Sequence, residues 1–122
     1  MSENRIARGE LYFVHLDPTF GREIGGYKRR PVVVVSIDSI HQNTRIVGVV
    51  PGTSTPSTRP NVVRIASDQI NGLEERETFF HCQQIRAIDQ GRMTSPPIGR
   101  LSQNDLRRIE DGLRYSLGLL KK

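Results

Sequence analysis

Arg22, Glu23, Lys28, Arg29 and Arg30 crowd into one short stretch, interleaved with Gly21, Gly25 and Gly26. A turn needs glycine for its backbone, but it has no need of this much charge. Arg30 stands immediately before Pro31 and the run Val32-Val33-Val34-Val35, which pins it at the start of a strand. A guanidinium held this way donates two hydrogen bonds in a fixed fork that matches a phosphate. A rigid sheet carrying a flexible cationic rim is an arrangement for meeting phosphate.

The other reactive side chains form no such group. His15, His41 and His81 are scattered without the spacing of metal ligands, and no metal or cofactor is indicated. Cys82 is the only cysteine, which excludes an intrachain disulfide and a cysteine-based zinc site and points to a reducing cytoplasm. It reads as a small buried residue rather than a nucleophile. The net charge is +5, and 15 of the 18 cations are arginine. Between Arg22 and Arg64 there are seven cations and two anions, so this segment carries the whole excess. A basic face favours an anionic partner, nucleic acid first. No run approaches the ~18 apolar residues of a membrane helix, and the polar start Met1–Ala7 lacks the apolar core of a signal peptide.

The elements that must position these residues follow from periodicity. The 122 residues make one domain, 1–122, with residues 1–7 as a flexible N-terminus. Strands are expected at Glu10–Leu16, ended by Asp17-Pro18, and at Pro31–Ile37, where continuous β-branched residues imply burial on both faces. Phe20–Arg30 is a loop between them. Further strands are expected at Arg45–Val50, Asn61–Ile65 and Thr78–Cys82, with a short segment at Ile85–Ile88. Asp38-Ser39 caps a short turn through Gln42, Pro51–Pro60 reads as a long irregular loop, and Gln69–Glu77 as a turn around Asn71-Gly72. Ser102-Gln103-Asn104-Asp105 fits a capping box, after which Leu106, Ile109, Leu113, Leu117 and Leu120 recur at helical spacing. Short strands followed by one helix predict a mainly β fold, a small β-barrel closed by a C-terminal helix.

In order along the chain stand Arg8-Gly9-Glu10, Leu16-Asp17-Pro18, Gly21 with Glu23, Gly25-Gly26, Arg30-Pro31-Val32, Val50-Pro51 with Thr53-Ser54, and Gln84, Arg86 and Ile88-Asp89. This series resembles the MazF/PemK family of toxin endoribonucleases over nearly the whole chain. The resemblance implies an SH3-like barrel, a homodimer, cleavage of single-stranded mRNA at short sequences, and an antitoxin partner whose acidic or apolar tail covers the RNA groove. By position it makes Arg30 the catalytic arginine and Thr53 the catalytic threonine, with Ser54 as its neighbour and Glu23 as the acidic residue of the loop. Tyr27-Lys28-Arg29 lengthens the loop relative to many members, which leaves Arg29 in competition with Arg30. The sequence His81-Cys82-Gln83 replaces the arginine and aspartate that flank a cysteine in some members.

RNA brings its own nucleophile, the 2′-OH, so the protein must remove that proton, stabilise the crowded phosphate and protonate the leaving 5′-oxygen. Arg30 and Thr53 suit the phosphate. Arginine keeps its proton, so the base is sought in Glu23, if burial raises its carboxyl, or in His81, which titrates near neutrality. For base contacts, Phe20 and Tyr27 offer stacking faces, and Ser54, Gln84 and Arg86 offer polar edges. Arg22, Arg29, Arg59 and Arg64 suit the backbone phosphates. Arg86 and Asp89 are also placed to form an internal ion pair. Two other readings stand beside the nuclease: a barrel of the same type that poisons DNA gyrase without catalysis, resembling CcdB, and a non-catalytic nucleic-acid-binding barrel. Against the former, the chain ends at Leu120-Lys121-Lys122, without an apolar or aromatic terminus.

Overall fold

A computed structural model describes residues 5–66 and 77–119. Among these residues the strands are β1 (Glu10–Val14), β2 (Arg30–Val34), β3 (Ile46–Thr53), β4 (Val62–Ile65), β5 (Thr78–His81), β6 (Arg86–Asp89) and β7 (Gly99–Arg100). The helices are α1 (Asp38–Thr44) and α2 (Gln103–Leu117). The expected turn at Gln69–Glu77 lies almost entirely outside the described residues, as does Leu120.

All pairings are antiparallel, in the order β4-β5-β3-β2-β1-β7, with β6 also on β3. β3 is the spine. One edge pairs with β2; the other pairs with β6 at Ile46–Val49 and then with β5 at Gly52–Thr53. The strand expected to end at Val50 therefore runs on through Pro51. That proline falls where the outer neighbour changes from β6 to β5, the kind of ladder break at which a residue without an N–H is tolerated.

The sheet curls around two packed layers, mainly β with α as expected. Leu11, Val33, Val50, Ile65 and Phe80 face one way and are covered by Ile109 of α2. Tyr12, Val14, Val32, Val34, Val47 and Val49 face the other way. Val32, Val33 and Val34 are each fully buried, which explains the unbroken β-branched run. α1 is a seven-residue helix where a short turn was expected. Its His41 is fully buried; Ser36 Oγ lies 2.8 Å from Nδ1 and the carbonyl of Ile6 lies 2.7 Å from Nε2. Through that bond Ile6, in the stretch read as a flexible terminus, is laid into the core.

Ser102 caps α2 by accepting from the Asp105 N–H at 3.1 Å, and Gly118 closes it in the left-handed conformation. The apolar stripe is shorter than expected: Leu117 is half-exposed, and Gly112, five residues before it, takes a buried position. A Cβ on Gly112 would lie 2.6 Å from Cys82 Sγ, so the missing side chain lets the helix sit against the 3-10 turn Cys82–Gln84. Replacing a helical glycine by alanine ordinarily gains about 0.5–1 kcal/mol. Overpacking costs about 1–3 kcal/mol and should win here. Gly112→Ala is thus expected to lower stability in urea unfolding, and to cost less in a Cys82→Ala background. Equal costs in the two backgrounds would show that the contact does not limit packing.

Candidate active site

Cross-strand register brings the first candidates together. Val14 pairs with Arg30, Val32 with Pro51, and Phe79 with both Thr53 and Arg64. Continuing the β2–β3 register past Val32 and Pro51 sets Arg30 across from Thr53. One row then crosses five strands: Val14, Arg30, Thr53, Phe79, Arg64, all on the same face. Apolar side chains fill this face as far as Val32 and Pro51, and polar ones begin where the two strands end. A cleft of about 380 Å³ opens there, lined by Arg30, Thr53 and Thr55 and by residues 19 and 21–26 of the loop, Glu23 among them.

Local hydrogen bonds hold the lining. Arg30 is half-buried and its Nε donates to the carbonyl of Gly25 at 2.9 Å. Its Nη groups have no carboxylate partner among the described residues, so the fork is left to face the cleft. Thr53 Oγ1 accepts from the Thr55 N–H at 2.8 Å, which leaves its hydroxyl proton for a ligand. Glu23 is exposed, so the burial that would raise its carboxyl is absent. Its carboxylate accepts from the Phe20 N–H at 2.9 Å and shapes the loop tip. Asp17, read from sequence as a strand terminator and as part of the Leu16-Asp17-Pro18 motif, staples the loop base. Its Oδ1 accepts from Thr19 Oγ1 at 2.7 Å and from the Gly26 N–H at 2.8 Å, and these bonds hold its carboxyl below the usual carboxylate range. Gly26 has φ of +94°, and a Cβ on Gly25 would come within 2.6 Å of the Thr19 side chain. The Gly-Gly pair is thus needed for the staple to close.

Other candidates are dispersed. Arg29 turns away from the cleft: its Nη1 donates to Ser95 Oγ at 2.7 Å and its guanidinium lies 5.9 Å from the centre of the Phe13 ring. Phe20 and Tyr27 are 85% and 87% exposed, free to meet a ligand but outside the cleft lining. Ser54 and Arg59 are exposed on the loop after β3. Arg64 is ion-paired with Glu77, so it is not a free phosphate-steering cation.

Gln84 and Arg86 line an adjoining groove of about 560 Å³ that shares Arg22, Glu23 and Ile24 with the cleft. The expected Arg86–Asp89 pair does not form. Three residues apart on a strand, they point to opposite faces: Arg86 donates to the Leu16 carbonyl, and Asp89 accepts from the Gly91 N–H. Cys82 is buried, its thiol pushed up to about 11, as suits a packing residue. Among the described residues no group of three His, Cys, Asp or Glu side chains is disposed to hold a metal ion.

His81 pairs with Val62 and sits one row behind Thr53 on the same face, without lining the cleft. Burial, helped by the positive charge of Arg59, holds its imidazole below the usual histidine range.

A curled antiparallel sheet closed by a C-terminal helix, with a cationic cleft at the strand ends, is the class that this geometry defines. The chain belongs to the PemK-like, MazF-like toxins of type II toxin-antitoxin systems, whose family model matches residues 7–117. It is 31% identical over 117 residues to Endoribonuclease EndoA of Bacillus subtilis, covering 94% of this chain and 97% of that protein. The crystal structure of MazF from Deinococcus radiodurans shares the fold, with a TM-score of 0.79 at 22% identity, covering 95% of this chain and 99% of that one. A mycobacterial endoribonuclease in complex with its cognate antitoxin also shares it, with a TM-score of 0.76 at 21% identity, covering 96% and 99%.

The environment of His81 makes a direct prediction. In an NMR titration its midpoint should fall below the ordinary value of about 6.5. Arg59→Ala should move it upward by only part of that difference, because burial is the larger cause. A midpoint at or above the ordinary value would contradict the placement.

Proposed function

We propose that this protein cleaves single-stranded mRNA without a metal ion, by attack of the 2′-OH on the adjacent phosphate, with Arg30 and Thr53 as the groups that hold that phosphate. Membership of the toxin family and 31% identity to an endoribonuclease along almost the full length support the activity. The observation that carries the assignment of roles is the placement of Arg30, Thr53 and Glu23 in one cleft, two on facing strand ends and one on the loop beside them.

The guanidinium fork of Arg30 binds two phosphate oxygens, and the Thr53 hydroxyl donates to one of them. Both donors are set in place before charge accumulates on those oxygens. Glu23 takes the 2′-OH proton, since it is the carboxylate that lines the cleft. The neutral imidazole of His81 is the second group able to do so, one row back. The 2′-oxygen bonds to phosphorus as the bond to the 5′-oxygen breaks; that oxygen takes a proton from water and the exposed Glu23 returns its own to solvent, giving a 2′,3′-cyclic phosphate and a 5′-hydroxyl. Phe20 and Tyr27 stack on unpaired bases from the exposed loop, and Arg22, Ser54 and Arg59 meet the strand beyond the cut.

The protein works in the cytoplasm as a homodimer held in check by a cognate antitoxin. Relatives solved with their antitoxins support the partner. Among the described residues no helix is long and apolar enough to cross a membrane. The gyrase-poison and non-catalytic readings are not favoured by the family match.

Incubation with a long unstructured RNA in EDTA should yield fragments ending in 2′,3′-cyclic phosphate. Arg30→Ala should lower kcat by about 10²–10³-fold. A 2′-deoxy substitution at the cut should abolish the reaction. Intact RNA from the folded wild type would refute the nuclease reading. Glu23→Gln should remove the acidic limb of the pH–rate profile and His81→Ala should leave it. The reverse pattern would move the base to His81.

A further inference from the structure

β1 ends at Val14, so the next carbonyls, on the way into the loop, have no strand partner. They are not left bare. Nη1 of Arg92 donates to the carbonyls of both His15, at 2.9 Å, and Asp17, at 2.8 Å. Nη1 of Arg86 donates to the carbonyl of Leu16 between them, at 2.9 Å. In extended chain, successive carbonyls point to opposite sides, so the first and third point the same way. The two arginines therefore grip three successive carbonyls, one taking the outer two and the other the middle one. Both come from the single segment 86–92.

The far side of the loop is tied to the same region. Gln84 Oε1 accepts from the Ile24 N–H at 2.7 Å, and its Nε2 donates to the Arg22 carbonyl at 3.2 Å. These bonds bracket Glu23. Between the two attachments lies the Asp17 staple to Thr19 and Gly26. The loop that lines the cleft is thus fastened at its base and near its tip to residues 84–92, and Arg30 in turn rests on the loop's Gly25 carbonyl.

We infer that Arg92, Arg86 and Gln84 are positioning residues for the proposed cleavage: they fix the loop so that Glu23 and the Gly25 carbonyl hold their places beside Arg30. Gln84 and Arg86, which sequence assigns to RNA contact, also bond the loop backbone, Gln84 through both ends of its amide and Arg86 through one Nη. Arg92 lines neither the cleft nor the adjoining groove, so it acts at a distance from the reacting phosphate. The inference rests on the nuclease reading for its consequence in rate, but not for its consequence in loop order.

Two readouts on the full chain keep these apart. By amide hydrogen exchange, Arg92→Met should lose protection at Ile24 and Gly26 by about tenfold or more while Val33 and Val50 are unchanged. In RNA cleavage the same variant should lose about 10–100-fold in kcat with KM within about threefold, since a small misplacement acts on the chemical step. Arg92→Lys, which keeps a cation able to reach both carbonyls, should recover much of the rate. Gln84→Met should give the same local loss of protection and serves if Arg92→Met does not fold. A cation that binds RNA directly would instead raise KM and flatten the salt dependence. That result, or protection lost throughout the sheet, or an unaltered loop, would overturn the proposal. If the wild type does not cleave RNA but the loop amides respond as stated, the nuclease reading fails and the fastening stands.

Discussion

Antiparallel pairing of β2 with β3 is the constraint on which the cleft depends. Val32 opposite Pro51, Val33 opposite Val50 and Val34 opposite Val49 set the register, and a slip of one residue would exchange the side chains between the two core layers and leave Arg30 opposite Gly52 or Ser54 instead of Thr53. Carried to the strand ends, the same register sets Arg30 against Thr53 on one face. The apolar core therefore determines the relative placement of two polar side chains that lie beyond it. This is how a fold with small, β-branched core residues can hold a phosphate-sized site: the precision comes from the ladder, and the ligand-facing groups are the first residues past the point where burial stops.

The loop between β1 and β2 has to be irregular to wrap the cleft, and irregular backbone leaves carbonyls and N–H groups that must find partners. Here the partners are charged or bidentate side chains: Asp17 on Gly26, Glu23 on Phe20, Gln84 on both Arg22 and Ile24. The exposed aromatics Phe20 and Tyr27 are left outside this network. The division separates an anchored wall, which lines the cleft, from exposed aromatic faces outside it. Basic charge is divided in the same way. Arg64 is neutralised by Glu77, Arg8 by Glu110, and Arg29 is occupied by Ser95 and Phe13, while Arg30 keeps its fork open.

Much of this was legible in the residues. The valine run marked a strand buried on both faces, the Ser102 box marked the start of the helix, and the Gly-rich cationic stretch marked the rim. Arg30 stood out because it directly precedes the buried strand. What sequence left open between Arg29 and Arg30, adjacent side chains on opposite sides of the backbone now separate in space. Pro51 was read as a strand end because local propensity does not report a change of neighbour along the far edge of β3. β7 is only two residues long and carries no periodic signal. Burial of Glu23 was the condition set for its role as base, and its loop position leaves it exposed. The grip of Arg86 and Arg92 on His15–Asp17 joins segments some seventy residues apart, as about any long-range arginine-to-carbonyl contact does without a motif to announce it. Asp17 was visible as the residue before a proline and as part of a family motif, but its bonds to Thr19 and Gly26 were not.

The central claim is that Arg30 and Thr53 act on one phosphate as a unit because the β2–β3 register sets them face to face. A double-mutant cycle on kcat/KM for RNA cleavage, with Arg30→Ala, Thr53→Val and the pair, tests it most directly. Residues that act as a unit give strongly non-additive losses, so the double variant should be little worse than Arg30→Ala alone. Losses that simply multiply would mean that the two side chains serve the reaction independently, and the face-to-face placement would then have no catalytic meaning.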